Sequence, residues 1–149
     1  MTAAKLFVYG SLRRGLGNHH HLGAGSRCRF IATGHTVEPL YLTGLRSREY
    51  PFLSQERLSH DLSSAPKRVF GELYEITDES LLLYLDHFED TAVYERRILQ
   101  VTATDASCSS YSAYCYIVKP ALVAGMRRVF STIYEDVPGD DWKKHLEIP

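Results

Sequence analysis

Apolar positions along the chain fall into short blocks, each closed by Gly, Pro or a polar cluster. The run Lys5–Tyr9 is continuous and ends at Gly10, which predicts a buried strand followed by a turn. Further short strands are expected at Arg29–Thr33, Thr36–Leu42 and Tyr50–Ser54, punctuated by Gly34, Pro39, Gly44 and Pro51. Leu58–Lys67 is polar and reads as a loop, and Val69–Ile76 as a clearer strand. The period then changes. In "TDESLLLYLDHFED", Thr77 or Asp78 is suited to cap a helix, and Leu81, Leu82, Leu85 and Phe88 form one apolar stripe. This helix is expected to end near Phe88 or Glu89. Tyr94–Thr104 and Tyr111–Val118 alternate as strands around the turn-forming "DASCSS", which predicts a hairpin. Ala121–Phe130 reads as a second helix and Asp140–Leu146 as a short terminal one. Many short strands with few helices predict an α+β fold, a small mixed, largely antiparallel β-barrel with a few short helices.

Length changes the picture little: 149 residues suffice for one domain with its own core, expected to span 1–149. A net charge of −1 gives no electrostatic case for nucleic acid or a membrane surface. The pairs Arg13-Arg14, Arg96-Arg97 and Arg127-Arg128 read as solvated faces. No apolar run approaches the roughly 20 residues of a membrane span, and no basic segment precedes an apolar core at the N-terminus. Three irregularly spaced cysteines, Cys28, Cys108 and Cys115, fit free thiols in or near a core and a reducing, cytoplasmic setting.

Three stretches carry candidate chemistry. In Tyr9-Gly10-Ser11-Leu12 a strand ends in a turn whose successive N–H groups are able to form an anion-binding nest, and Gly10 permits close approach. Such a nest suits an oxyanion; a tight turn with nothing bound is the bland alternative. Glu89 falls where the helix stripe ends. The helix dipole and the neighbouring Asp86 and Asp90 are expected to raise its pKa and make it a better acid or base, with Arg96 or Arg97 opposing. The third stretch is "NHHHL", Asn18–Leu22. Adjacent histidines point in different directions, so at most two share an ion, and His19, His20 and His21 read as polar lining of a pocket mouth rather than a metal site. Ser11 with a histidine is a conceivable nucleophilic pair, but the G-x-S-x-G elbow is missing. His35, His60, His87 and His145 have no motif around them.

Taken together, Tyr9-Gly10-Ser11-Leu12, Leu85-Asp86-His87-Phe88-Glu89 and Tyr94-Glu95-Arg96 resemble the γ-glutamylcyclotransferase superfamily. "GLGNHHHL" and Tyr50-Pro51-Phe52-Leu53 are most similar to its γ-glutamylamine cyclotransferase branch. The chain departs from the pattern at Asp90, where Gly or Ser often stands, and in the length of its histidine run. The resemblance implies a barrel with Glu89 as catalytic acid/base, Tyr9, Gly10, Ser11 and Leu12 as substrate-binding residues, and no metal or other cofactor. The implied partner is a small γ-glutamyl substrate, which would lose 5-oxoproline when its own α-amino group attacks the γ-carbonyl. A ligand-binding module without activity and a serine hydrolase using Ser11 remain the alternatives.

Overall fold

The computed structural model describes residues 4–147 except 24, 46, 48–49, 60–64, 90–91, 131–132 and 138. Five strands close a barrel: β1 (Lys5–Val8), β2 (Cys28–Thr36), β5 (Phe70–Ile76), β6 (Tyr94–Ala103) and β7 (Ser110–Val118), in the order β1-β5-β2-β6-β7. Every pairing is antiparallel except the one that closes the barrel, where Leu6 on β1 runs parallel beside Tyr114 on β7. A second sheet joins β4 (Pro51–Ser54), β3 (Tyr41–Leu45) and β8 (Tyr134–Asp136). Three short helices complete the fold: α1 (Ser80–Phe88), α2 (Val123–Arg128) and α3 (Trp142–Leu146).

The apolar run of β1 is continuous because both of its faces are covered. Phe7 points into the core with Leu73, Leu99, Val101, Ala113, Cys115 and Ile117. Leu6 and Val8 join Tyr74, Ile76, Leu81, Leu85 and Tyr116 on the opposite face. That outer cluster seats α1, whose Leu81 and Leu85 are fully buried while Leu82 and Phe88 pack at its border. The stripe is therefore the one the spacing predicts. The N-cap is Glu79 rather than Thr77 or Asp78, and it makes no side-chain cap; Asp78 just before it accepts the Ser80 amide on Oδ1 at 2.9 Å. The hairpin also forms as expected, β6 pairing with β7 from Tyr94↔Val118 to Thr102↔Ser110.

Gly34 does not divide the chain into two strands. It lies inside β2, where a Cβ would stand 2.8 Å from the Thr102 carbonyl, so glycine here admits close approach of β6 rather than a turn. The second helix is shorter than its apolar pattern implies. A 3₁₀ turn over Pro120–Leu122 leads into α2, which stops at Arg128. Strand β8 has no signal in the sequence; its three residues are held by pairing with β3.

Candidate active site

Strand β1 delivers the chain to Tyr9, which is buried and donates its hydroxyl hydrogen bond to the Tyr116 carbonyl at 2.8 Å. Burial first, then the charges of Tyr94, Cys115 and Glu89, hold this phenol well above its usual range. It stays protonated and serves as a donor that fixes the strand end. The turn beyond it is polarised. The Gly10 carbonyl accepts from the Arg13 amide at 3.1 Å and the Ser11 carbonyl from the Asn18 amide at 3.2 Å. The Leu12 carbonyl lies 2.9 Å from His19 Nδ1, which must carry the proton because a carbonyl only accepts. All three carbonyls are thus engaged. Among the described residues no acceptor exists for the N–H groups of Gly10, Ser11 and Leu12. Backbone donors in folded proteins rarely go unmatched, and donors left open beside a cavity suit an acceptor from solvent or from a bound molecule.

The cavity has a volume of about 390 Å³, within the range of small-molecule sites. The four turn residues line one side. Glu89, Phe88, Tyr94 and Tyr116 line another, and Tyr50, Pro51 and Phe52 a third. Gly10 is explained by this third wall. Its φ is not in the left-handed region, and a Cβ would meet Pro51 Cγ at 2.6 Å. The requirement is steric contact with β4, not backbone freedom.

Glu89 is the first residue past α1. Its amide still closes the helix on the Leu85 carbonyl at 2.7 Å, while its own backbone is already extended, so the side chain leaves the helix toward the cavity. Its carboxyl is pushed up to about 7, and the cause is burial. Asp86 does not drive that shift. It accepts the Tyr116 hydroxyl at 2.6 Å and lies 3.6 Å from Arg96, which fixes the last turn of α1 against β7. Arg97 is drawn away to Glu95 and Gln55. Among the described residues no cation pairs with Glu89. Its charge in turn raises Tyr9, Cys115 and Tyr116. Asp90 lies outside the described residues, as does His60.

The histidine run does not line this cavity. His19–Leu22 form a 3₁₀ turn in which His19 supports Leu12 from behind, and the His21 ring lies tilted against Phe88 with centroids 4.1 Å apart and hydrogen-bonds Tyr84. No cluster of three metal-ligating side chains occurs among the described residues. Ser11 Oγ accepts from Asn18 Nδ2 at 2.9 Å, and among the described residues no histidine pairs with it to form a nucleophilic pair. Cys28 and Cys115 are buried, but Cys108 is exposed on the hairpin turn.

The largest correction concerns Arg13, which is 4% exposed and lies on no solvated face. Its Nη1 is 2.6 Å from Asp141 and its Nε 3.5 Å from Glu72. The readable signal was an acid, Glu72, between Gly71 and Leu73 of strand β5, where a buried carboxylate demands a partner.

Residues 6–144 match the family model described as gamma-glutamyl cyclotransferase, AIG2-like. The chain belongs to this family. A γ-glutamylaminecyclotransferase of Bos taurus is 40% identical over 101 residues, covering 66% of this chain and 56% of that one. The Homo sapiens protein of the same description is 39% identical, covering 66% and 61% respectively. The family member studied here thus spans less than two thirds of the length of these two relatives. A crystal structure of an AIG2-like protein from Mus musculus superposes with a TM-score of 0.63 at 31% identity, over 81% of this chain and 82% of that one. The cyclotransferase-family barrel is therefore the fold, and no helix is long and apolar enough to cross a membrane among the described residues.

Proposed function

We propose that this chain is a γ-glutamylamine cyclotransferase that releases 5-oxoproline and a free amine. One observation carries the reading: a half-buried carboxyl at about 7 without a cationic partner shares a single cavity with three backbone amides that have no acceptor among the described residues. The two sides suit the two needs of an internal acyl transfer. The substrate's α-amine attacks its own γ-carbonyl carbon, so an N–C bond forms and the carbonyl π electrons move to oxygen. The amides of Gly10, Ser11 and Leu12 hold that oxyanion. Glu89, ionised at the start, takes the proton released by the attacking nitrogen. When the C=O re-forms and the original amide C–N bond breaks, Glu89 returns the proton to the departing nitrogen. The nucleophile is tethered, and well-oriented intramolecular attack reaches effective molarities of about 10⁵–10⁸ M. The scheme therefore uses no covalent enzyme intermediate and calls on no metal or cofactor. Free cysteines fit the cytoplasm as the working compartment.

The test is a panel of γ-glutamylamines, the γ-glutamyl-ε-lysine isopeptide, γ-glutamyl amino acids and glutathione, with 5-oxoproline and free glutamate both measured. Release of 5-oxoproline, fastest from amines and unaffected by dialysis against a chelator, is expected. Free glutamate in its place would mean hydrolysis, and binding without turnover would mean a ligand-binding module.

A further inference from the structure

Tyr9, Asn18 and His19 hold the amide wall from within, and its direction depends further on what holds the turn at either end. Both ends are referenced to one residue, Glu72. On the entering side, Val8 is the register partner of Glu72 across β1 and β5. On the leaving side, Glu72 Oε1 accepts the Arg14 amide at 2.9 Å, and Oε2 lies 3.5 Å from Arg13 Nε. The Tyr74 hydroxyl adds a further donor to Oε1 at 2.9 Å. Arg13 then reaches outward with Nη1 to Asp141 Oδ1 at 2.6 Å, and the same oxygen accepts the Lys143 and Lys144 amides at 2.9 and 3.3 Å. Asp141 is the N-cap of α3, and the Asp140 carbonyl just before it accepts from the Phe70 amide on β5 at 2.8 Å. A planar guanidinium with donors on two edges is required to span the two carboxylates; an ammonium is a point charge and cannot.

We infer that Arg13 is a positioning residue: bridging Glu72 and Asp141, it sets the direction of the Gly10, Ser11 and Leu12 amides and makes the C-terminal helix α3 part of the oxyanion-binding machinery. This deepens the cyclotransferase reading and rests on it for its kinetic consequence. Because the amides act on charge that develops only during ring closure, misaiming them lowers kcat more than it raises KM.

The experiment uses Arg13→Lys, Asp141→Asn and their combination in the full chain. Lysine keeps the charge without the fork, and asparagine keeps the cap on α3 while removing the anion. Each single variant should lose about 10–100-fold in kcat, with KM within about threefold, and keep the inflection near pH 7 that belongs to Glu89. The double variant should lose little more than either single one, because both break one bridge. Amide hydrogen exchange gives a readout without turnover. Exchange at the Arg13, Arg14 and Asn18 amides, which hold the turn through the Gly10 carbonyl, Glu72 and the Ser11 carbonyl, should accelerate in Arg13→Lys while β1 and β5 amides stay as in the wild type. A folded Arg13→Lys with wild-type kcat and wild-type exchange overturns the inference, as does a loss carried only by KM. If the wild type releases no 5-oxoproline at all, the functional reading fails, and the exchange data alone decide the role of Arg13.

Discussion

Two of the glutamates, Glu72 and Glu89, are treated by the chain in opposite ways. Glu72, on β5, is 3% exposed and receives Arg13 Nε, the Arg14 amide and the Tyr74 hydroxyl. Glu89, just past α1, faces a cavity, and no cation among the described residues pairs with it. The first is a negative charge whose every demand is met inside the protein. The second is held near neutral protonation by lack of water alone. A carboxylate that is fully supplied with donors has nothing left to exchange, whereas one that is poorly solvated and unpaired changes its protonation readily at physiological pH. The contrast supports Glu72 as scaffold and Glu89 as the acid/base of the proposed reaction.

The largest effect that sharpens this contrast is on turnover. Glu89→Gln keeps the shape but cannot carry a proton, and 5-oxoproline release should fall by about 10²–10⁴ in kcat with substrate binding largely retained. A rate near wild type would remove Glu89 from the chemistry. Glu72→Gln should act first on stability. Loss of one anion from a buried ion cluster costs about 3 kcal/mol, read as a lowered denaturation midpoint, while the rate profile keeps its inflection near 7. An unchanged midpoint would mean that Glu72 is not the anchor its contacts imply.

A third measurement sets the two acids apart by pH. The carboxyl of Glu89 is raised from 4.5 to about 7 in the folded protein, so between those values the folded state binds the extra proton and the unfolded state does not. Wild-type stability therefore declines as pH rises through this window. Glu89→Gln lacks the decline, and its stability relative to wild type should climb from no pH-linked gain below pH 4.5 to a gain of about 3 kcal/mol above pH 7. Equal slopes in the two proteins would contradict the burial of this carboxyl. The rate should rise through the same inflection, because the ionised form is the base. The smallest effect belongs to Ser11. Its hydroxyl only receives Asn18, so Ser11→Ala should keep the rate within a few-fold and lose about 1 kcal/mol of stability. A large loss, or a covalent adduct on Ser11, would add a second proton-carrying group beside Glu89 and break the two-acid picture.

Local pattern made α1 and the β6–β7 hairpin readable, because the periods of Leu81, Leu85 and the alternating strand residues are imposed by the one core face each presents. The position of Glu89 at a helix end was readable for the same reason, but the cause of its raised pKa was not. The sequence pointed to the helix dipole and Asp86, whereas tertiary contacts occupy Asp86 and leave desolvation to act. Arg13 defeated the reading outright. Its two partners are 59 and 128 residues away, and nothing local distinguishes it from the solvated arginine beside it. Strand β8 and the steric role of Gly10 were hidden likewise, since both depend on which segment arrives from elsewhere in the chain.

The closure of the barrel bears on how the molecule is made. Strand β1 is synthesised before its partners, which are residues 72–75 of β5 and Tyr114 of β7. The first strand must wait, unpaired and apolar on both faces, until most of the chain has been synthesised. Pairings of such sequence separation are slow to form, and exposed strand edges are where newly made chains associate wrongly. The turn that follows β1 is consequently translated well before the strands that give it its shape.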